Sequence, residues 1–294
     1  MRCLRRLIRR SHGMPQVHPS AVISPSAQLG RDVIVGPFCV IEDDVIVGDG
    51  CRLASHVSIK SGTALGAYNE VCEAAVLGGK PQHLWAGTEL GPLLIGNDNI
   101  IREYVTIHRG LTAGTCTTIG EGNMIMVNAH IAHDCQIGNY TVIVNNVMIA
   151  GHVTVQDRVY FGGAAGIHQF ARVGQLAMIG GQSHLSQDVP PFVIVDGKSN
   201  LVCGLNVIGL RRAGFSNDEI RDLKAAYRVI YRSGLTWNDT LEVLANTFQE
   251  GPAAEFHRFL TESERGVVQE RKTPRGATIP LPAEEDRVRL RKVA

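Results

Sequence analysis

Histidines are concentrated in the second third of this 294-residue sequence, and one of them is followed directly by a carboxylate. Asp134 comes immediately after His133, with further imidazoles close by in the sequence. Imidazoles clustered around a carboxylate are suited to general base catalysis, which contributes about 10²- to 10⁴-fold to a rate. The histidines concerned are His108, His130, His133, His152, His168 and His184.

A repeat of six residues runs through the same part of the chain and must position these side chains. Branched aliphatic residues recur at this spacing from Ile23 to Leu77 and, after an interruption, from Ile119 to Leu185. A period of six matches neither the 3.6-residue period of a helix nor the two-residue period of an ordinary strand. It predicts a parallel β-helix, in which three hexads form one coil and inward aliphatic residues stack about 4.8 Å apart.

The eighteen-residue coil brings separated residues to one edge of the predicted β-helix. His133, Gly151 and Gln169 each lie two positions past an inward aliphatic residue, so they are expected to stack. Neighbouring columns hold His130, Asp134, His152 and His168. Because several imidazoles converge on one carboxylate, a catalytic role is favoured over a set of unrelated structural histidines.

The composition narrows the class of protein further. The chain is 44% apolar but only 5% aromatic, which indicates a core too narrow for large rings, with Trp85 and Trp237 outside it. A net charge of +1 gives no reason to expect a nucleic-acid partner. No apolar run approaches the roughly 20 residues of a membrane span. The seven cysteines contain no C-x-x-C motif, so a reducing compartment is expected.

The repeat also defines the domain organisation. We predict a β-helix over residues 14–191, interrupted at 79–93 and 110–116, and a connector with a C-terminal helical domain over residues 192–269. Ser216-x-x-Glu219 and Thr236-x-x-Asp239 are typical helix starts. Residues 270–294 carry mixed charge and three prolines, and are predicted to be a disordered tail.

Residues 1–13 form a basic N-terminal extension with five arginines and no acidic residue. An organelle transit peptide has this composition. Met14 follows at once, however, so a mis-assigned start codon is an equal explanation. We expect a cytoplasmic protein and treat the transit peptide as the alternative.

Several segments resemble the UDP-N-acetylglucosamine O-acyltransferase family of left-handed β-helix enzymes. The hexads alone would indicate only the wider acyltransferase superfamily, whereas these segments are specific to the enzyme. They are residues 128–135 (NAHIAHDC), 107–110 (IHRG), 150–153 (AGHV), 167–170 (IHQF), 187–191 (QDVPP) and 209–215 (GLRRAGF). The resemblance implies a left-handed coil and a three-helix C-terminal end.

The resemblance also implies roles for individual residues. His133 matches the general base that removes a proton from the sugar 3-hydroxyl, and Asp134 matches the carboxylate that orients it. Gly151 matches the glycine whose N–H stabilises the oxyanion, where a side chain would obstruct the thioester. Gly181 matches the position that limits acyl-chain length, and glycine there leaves room for a long 3-hydroxyacyl chain. The implied substrate-binding residues are Gln82, His83, His108, His130, His152, His168, Gln169, Asn206 and Arg212.

Three positions depart from the family pattern. His83 stands where the family usually has an aspartate that contacts the sugar. The Trp85-Ala86 pair replaces an expected lysine, and Ala213 replaces the second of two arginines. The sugar contacts are therefore less firmly implied than the base.

The implied activity is transfer of a 3-hydroxyacyl group from acyl carrier protein to the 3-hydroxyl of UDP-N-acetylglucosamine, the first step of lipid A biosynthesis. A homotrimer without metal or organic cofactor is expected, with each cleft between two subunits. One alternative is an N-acyltransferase acting on a 3-amino sugar. Another is a trimeric zinc enzyme of the carbonic anhydrase type, with His130, His133 and His152 as ligands. A non-catalytic scaffold is the third.

Overall fold

The hexads form short strands that stack into three parallel sheets around one core. The computed structural model describes residues 13–272, so the predictions for residues 1–12 and 273–294 lie outside the described range. Eleven strands form the first sheet, nine the second and eight the third. Each of the first eight coils contributes one strand to every sheet, which is the arrangement of a β-helix.

The strands are named in chain order. The first sheet contains β1 Gln16–Val17, β4 Ile34–Val35, β7 Arg52–Leu53, β10 Glu70–Val71, β13 Ile100–Ile101, β16 Met124–Ile125, β19 Val142–Ile143, β22 Tyr160–Phe161, β25 Met178–Ile179, β27 Val193–Val195 and β28 Val202–Leu205. The second contains β2 Val22–Ile23, β5 Val40–Ile41, β8 Ser58–Ile59, β11 Val76–Gly79, β14 Thr106–His108, β17 His130–Ile131, β20 Met148–Ile149, β23 Gly166–Ile167 and β26 His184–Leu185. The third contains β3 Gln28–Leu29, β6 Ile46–Val47, β9 Thr63–Leu65, β12 Leu93–Ile95, β15 Thr117–Ile119, β18 Gln136–Ile137, β21 Thr154–Val155 and β24 Arg172–Val173.

The strand register follows the predicted eighteen-residue coil. Ile131 pairs with Ile149 and Ile149 pairs with Ile167, and all three side chains are at most 3% exposed. The prediction of a mainly β, parallel β-helix is therefore confirmed. The two tryptophans lie outside the core as expected, with Trp85 81% and Trp237 43% exposed.

Two insertions interrupt this register where the period was predicted to break. Leu94 pairs with Ala64, thirty residues earlier, because the segment between β11 and β12 leaves the coil. Thr118 pairs with Leu94, twenty-four residues earlier, because a shorter segment leaves it before β15. We call residues 79–93 the first insertion and residues 110–116 the second insertion.

Buried asparagines link the coils at the corner between the third and first sheets. Asn99 donates from Nδ2 to Oδ1 of Asn69 at 3.0 Å and to the Gly120 carbonyl at 3.0 Å. Its own Oδ1 accepts the Asn123 backbone N–H at 2.9 Å. The Asn99 side chain therefore satisfies polar groups on both neighbouring coils.

We expect Asn99→Ala to lower the free energy of unfolding by about 2–4 kcal/mol, because it leaves several buried polar groups unpaired. The exposed Asn246→Ala on a C-terminal helix is the control and should change stability by less than about 0.5 kcal/mol. Urea unfolding monitored by circular dichroism checks both values. Equal free energies of unfolding for the two variants would contradict a stabilising role of the Asn99 hydrogen bonds.

The C-terminal part begins with a continuation of the first sheet. β27 pairs in parallel with β25, so this sheet extends past residue 191, where the predicted β-helix ends. β28 then pairs antiparallel with β27, which reverses the chain. Neither strand follows the hexad period.

Four helices follow: α1 Val207–Arg212, α2 Asn217–Arg232, α3 Trp237–Thr247 and α4 Ala254–Thr261. Ser216 and Glu219 form the predicted capping box of α2, and Thr236 caps α3 as predicted. The helix α1 was not predicted. None of the helices within residues 13–272 combines the length and apolar character needed to cross a bilayer.

The beginning of the predicted disordered tail is held in place. Glu270 accepts a hydrogen bond from the Tyr227 hydroxyl at 2.7 Å and forms an ion pair with Arg232 at 2.7 Å. Its backbone also forms a bridge to Val202. Residues 270–272 therefore belong to the ordered C-terminal unit.

Candidate active site

The candidate site lies on the corner where the chain passes from the second sheet to the third. His133, Gly151 and Gln169 occupy this corner in three successive coils, at the spacing predicted from the repeat. The backbone N–H of His152 donates to the His133 carbonyl at 3.0 Å, and that of Phe170 donates to the Gly151 carbonyl at 3.1 Å. The coil ladder therefore fixes the vertical spacing of these residues.

His133 and Asp134 form a buried hydrogen-bonded pair. His133 Nδ1 lies 2.7 Å from Asp134 Oδ2, and the two residues are only 7% and 9% exposed. A carboxylate at Nδ1 favours the tautomer that carries its proton there, which leaves Nε2 as a free base. The pair therefore has the geometry of a base and its orienting group.

The Asp134 carboxylate is held in its ionised form. Burial by itself would raise the pKa of this carboxyl, but hydrogen bonds from Thr115, His133 and the Leu111 N–H lower it below its usual value. The Leu111 N–H lies 3.2 Å from Oδ1, and the Asp134 backbone N–H donates to Thr117 Oγ1 at 2.7 Å. Both the charge and the position of the carboxylate are thus fixed.

Other rings enclose the pair. The His152 ring contacts the His133 ring edge-on at 5.0 Å and stacks flat on Phe170 at 4.5 Å. The His83 ring, from the first insertion, approaches His133 edge-on at 5.5 Å. Burial and the neighbouring His133 and His83 lower the pKa of His152, although Asp134 opposes them. His152 is therefore neutral at pH 7.

His108 on β14 and His130 on the adjacent strand β17 form a second pair of rings beside His133. Their rings contact edge-on at 4.8 Å, and His130 Nδ1 lies 2.8 Å from Thr106 Oγ1. Burial lowers the pKa of His130. Burial, with the nearby His130 and His133, lowers the pKa of His108 to about 4. His108 therefore stays neutral throughout the physiological range.

An open cavity of about 800 Å³ lies in front of these residues. It combines apolar strand residues with polar groups, as binding sites for organic ligands do. Of the predicted site residues, those lining it are Gln82, His83, His130, His133, Gly151, His168 and Gln169. Residues that were not assigned a binding role, including Thr106, Asn128, Met148 and His184, also line it.

Two family sequence models match the chain. The model described as UDP-N-acetylglucosamine O-acyltransferase, domain 2, matches residues 188–268. The model described as bacterial transferase hexapeptide, six repeats, matches residues 26–61 and 116–151. These matches cover the C-terminal unit and parts of the β-helix respectively.

Curated proteins named acyl-(acyl-carrier-protein)–UDP-N-acetylglucosamine O-acyltransferase are similar over most of the chain. The one from Burkholderia lata is 48% identical over 262 residues, which cover 87% of this chain and 100% of that protein. The chain belongs to the UDP-N-acetylglucosamine O-acyltransferase family. The member from Synechocystis sp. is 43% identical over 196 residues, covering 66% of this chain and 71% of that protein.

Solved structures of the family have the same architecture. The UDP-N-acetylglucosamine acyltransferase of Francisella novicida has a TM-score of 0.85 at 35% identity, covering 87% of this chain and 95% of that one. The Arabidopsis enzyme has a TM-score of 0.77 at 36% identity, covering 86% of this chain and 100% of that one. The resemblance inferred from the sequence segments is therefore confirmed.

Three residues assigned from the family pattern lie away from the cavity within the single chain. Gly181 is on the corner between the first and second sheets, and Arg212 is an exposed residue at the end of α1. Asn206 is the N-cap of α1: its Oδ1 accepts the Gly209 N–H at 3.0 Å, and its Nδ2 donates to Leu176. The Asn206 side chain is thus already engaged in a structural contact.

Gly151 has a closer neighbour than the family comparison suggested. A Cβ atom built on this glycine would lie 2.7 Å from Cε1 and 2.8 Å from Nε2 of His133. The first group that a side chain would displace is therefore the imidazole, before any thioester. The absence of a side chain at residue 151 therefore leaves room for the His133 ring in its observed position.

Leu111, Thr117 and Phe170 are site residues that sequence reasoning missed. Phe170 continues the column of Asp134 and His152 at eighteen-residue spacing, which is a signal that the repeat contains. Leu111 acts through its backbone N–H from the second insertion, so its side chain carries no signal.

Two of the three histidines of the zinc alternative, His133 and His152, lie together at this corner of the described chain. Among residues 13–272, the potential ligand group at this corner is His133, Asp134 and His152, and His130 is not part of it. His133 Nδ1 and Asp134 Oδ2 are 2.7 Å apart, a distance that a shared proton accounts for. The expected three-histidine set is therefore not assembled within one chain.

The low pKa of His108 predicts a pH dependence of stability. Because the folded-state pKa of about 4 lies below 6.5, the unfolded chain binds more protons between these values, and stability falls as the pH falls through this window. We expect His108→Phe to reduce the loss between pH 7.5 and 4.5 by about 2 kcal/mol. Urea unfolding at the two pH values, with the exposed His18→Phe as control, measures it. An unchanged pH slope in His108→Phe would contradict this origin.

Proposed function

We propose that this chain transfers a 3-hydroxyacyl group from acyl carrier protein to the 3-hydroxyl of UDP-N-acetylglucosamine, the first step of lipid A biosynthesis. The names of its full-length relatives support this reaction. The observation that carries the proposal is the His133–Asp134 pair, with its 2.7 Å hydrogen bond, at the edge of the cavity. The cytoplasm is the proposed location.

The proposed reaction begins with His133 Nε2 removing the proton of the sugar 3-hydroxyl. The oxygen attacks the thioester carbonyl, and Asp134 stabilises the imidazolium that forms. The tetrahedral intermediate then expels the carrier thiolate, which takes the proton back from His133. The products are the ester and the free thiol, so protons and charge balance.

Gly151 supplies the proposed oxyanion donor. Within residues 13–272 its backbone N–H donates to no other group, whereas its carbonyl accepts the Phe170 N–H. A free N–H one coil from the base is suited to the developing negative charge, and one such donor is worth about 10²- to 10³-fold in rate.

The remaining substrate contacts are proposed from their place at the cavity. Gln82, His83, His130, His168 and Gln169 bind the sugar nucleotide and the carrier arm. His108 packs against His130 and His152 packs against His133, so both are proposed to support the cleft from behind its lining. Arg212, Asn206 and Gly181 act at the same cleft from a neighbouring subunit, with Arg212 near the nucleotide phosphates and Gly181 leaving room for a long acyl chain.

The proposed homotrimer is supported by the outer face of the first sheet. Its outward residues are apolar in the later coils: Ile100, Met124, Val142, Tyr160 and Met178. Ile100 is 38% and Tyr160 40% exposed in the single chain. A continuous apolar row is suited to a subunit interface, and identical prisms close most simply with cyclic symmetry.

The proposal is tested by incubating the purified protein with labelled UDP-N-acetylglucosamine and a panel of acyl carrier protein thioesters. We expect an ester product, with a preference for long 3-hydroxyacyl chains. Transfer only to the 3-amino analogue would replace the O-acyltransferase assignment by the N-acyltransferase alternative. The absence of any acylated product from either sugar would overturn both.

A further inference from the structure

Arg109 is a half-buried cation that has no carboxylate partner within residues 13–272. Its guanidinium donates instead to three backbone carbonyls. Nε donates to Gly91 at 2.7 Å, Nη2 to Leu90 at 2.9 Å and Nη1 to Ser61. Burial lowers the pKa of this guanidinium, which remains charged at any physiological pH.

Gly62 leaves room for the planar guanidinium because it has no side chain. A Cβ atom on Gly62, whose φ is +73°, would lie 2.5 Å from Nη2 and 2.9 Å from Cζ of Arg109. Each of the three guanidinium nitrogens donates to a backbone carbonyl, so the group binds the protein's own backbone. Arg109 therefore holds backbone, and a substrate phosphate is not its partner.

The carbonyls that Arg109 holds belong to the end of the first insertion. Leu90 and Gly91 close the loop that brings Gln82 and His83 to the cavity. The Gly91 N–H also donates to the Gly110 carbonyl at 3.1 Å. The guanidinium thus fixes the base of this loop to the strand that carries the second insertion.

The second insertion connects the loop held by Arg109 to the His133–Asp134 pair. The Gly87 N–H in the first insertion donates to the Leu111 carbonyl at 3.3 Å. The Leu111 N–H in turn lies 3.2 Å from Oδ1 of Asp134, which orients His133. A continuous path of hydrogen bonds therefore runs from the anchored loop to the catalytic imidazole.

We propose that Arg109 is a positioning residue for acyl transfer: it fixes both insertions so that Gln82 and His83 meet the sugar and Leu111 holds Asp134. The inference rests on the proposed function. Arg109 touches neither substrate. A lysine in its place keeps the charge but cannot donate in three fixed directions, so it does not replace the fork.

The test compares Arg109→Ala and Arg109→Lys with the wild type in the acyl-transfer assay. Displacing catalytic groups by about 1 Å costs about 100-fold, so we expect kcat to fall by about that factor in Arg109→Ala. The KM for UDP-N-acetylglucosamine should rise about 10-fold in both variants, while the KM for the thioester changes less than about twofold. Arg31→Ala removes an exposed arginine paired with Asp49 and serves as the control, with unchanged kinetics.

Two further measurements separate positioning from general destabilisation. Guanidinium chloride at low millimolar concentration should restore Arg109→Ala about 10-fold, because the free cation presents the same planar donors, whereas ammonium should not. Hydrogen exchange of residues 82–91 should be faster in Arg109→Lys, with unchanged exchange in the strands of the core.

Unchanged KM and kcat in Arg109→Lys, with an active wild type, would overturn the inference. A loss of activity in proportion to the fraction of unfolded protein would overturn it too, if KM is unchanged and guanidinium does not restore the rate. If Arg109→Ala does not fold, Arg109→Lys decides by the same KM and exchange readouts. An inactive wild type would instead overturn the proposed function, so the two failures are distinguishable.

Discussion

Replacing His133 with alanine is expected to lower kcat by about 10³-fold, while both KM values change by only a few-fold. The variant removes the Nε2 base that faces the cavity, yet the other lining residues remain in place. Substrate binding should therefore survive the loss of proton transfer. Initial rates with saturating sugar nucleotide and a long-chain 3-hydroxyacyl thioester measure the effect.

The matched control for this variant is His18→Ala. His18 is an exposed histidine of the first coil whose Nδ1 is hydrogen-bonded to the Ser20 hydroxyl and N–H. Its replacement should leave kcat within about twofold of the wild type. More than a tenth of the wild-type activity in His133→Ala would contradict the assignment of the base. Activity equal to that of the wild type would favour the non-catalytic scaffold.

The β-helix was predictable because its period is a local rule. A hexad specifies a strand and a corner, and stacking then places residues eighteen apart in register, as with Ile131 and Ile149. The same rule brought His133 and Gly151 together without any knowledge of tertiary contacts. Positions that follow the period could therefore be placed in space from the sequence alone.

The positions of the two insertions could be predicted from the period, but their conformations could not. A break in the period shows where the chain leaves the coil, and it carries no information about where the loop returns. The contact between His83 and His133 depends on that path. Arg109 could not be assigned either, because its partners are carbonyls, including that of Ser61 forty-eight residues earlier.

The C-terminal unit shows the same difference. The capping box of Ser216 and Glu219 is a local signal, and it predicted the start of α2. The helix α1 has six residues, and its cap, Asn206, donates from Nδ2 to the Leu176 carbonyl of the β-helix. A short helix that depends on a distant contact leaves little trace in a sequence pattern.

Gly151→Ala is expected to lower kcat by about 100-fold with little loss of stability. The added Cβ would lie 2.7 Å from Cε1 of His133, closer than any normal contact. The 3.0 Å hydrogen bond from the His152 N–H to the His133 carbonyl fixes the two coils relative to each other, so the ring must turn away. Steady-state kinetics and a thermal melt of the variant measure the two parts of the prediction.

Gly163→Ala is the matched control because a Cβ atom there meets Asn145 at 3.4 Å and Val144 at 3.6 Å, which are ordinary contacts. It should leave kcat within about twofold of the wild type. Alanine at residue 151 keeps the backbone N–H, so the proposed oxyanion donor remains and a loss of rate reports the displaced imidazole. If kcat for Gly151→Ala stays within about threefold of the wild type, the His133 imidazole can move away from the added Cβ without loss of rate. The close packing of Gly151 and His133 would then have no part in holding the base.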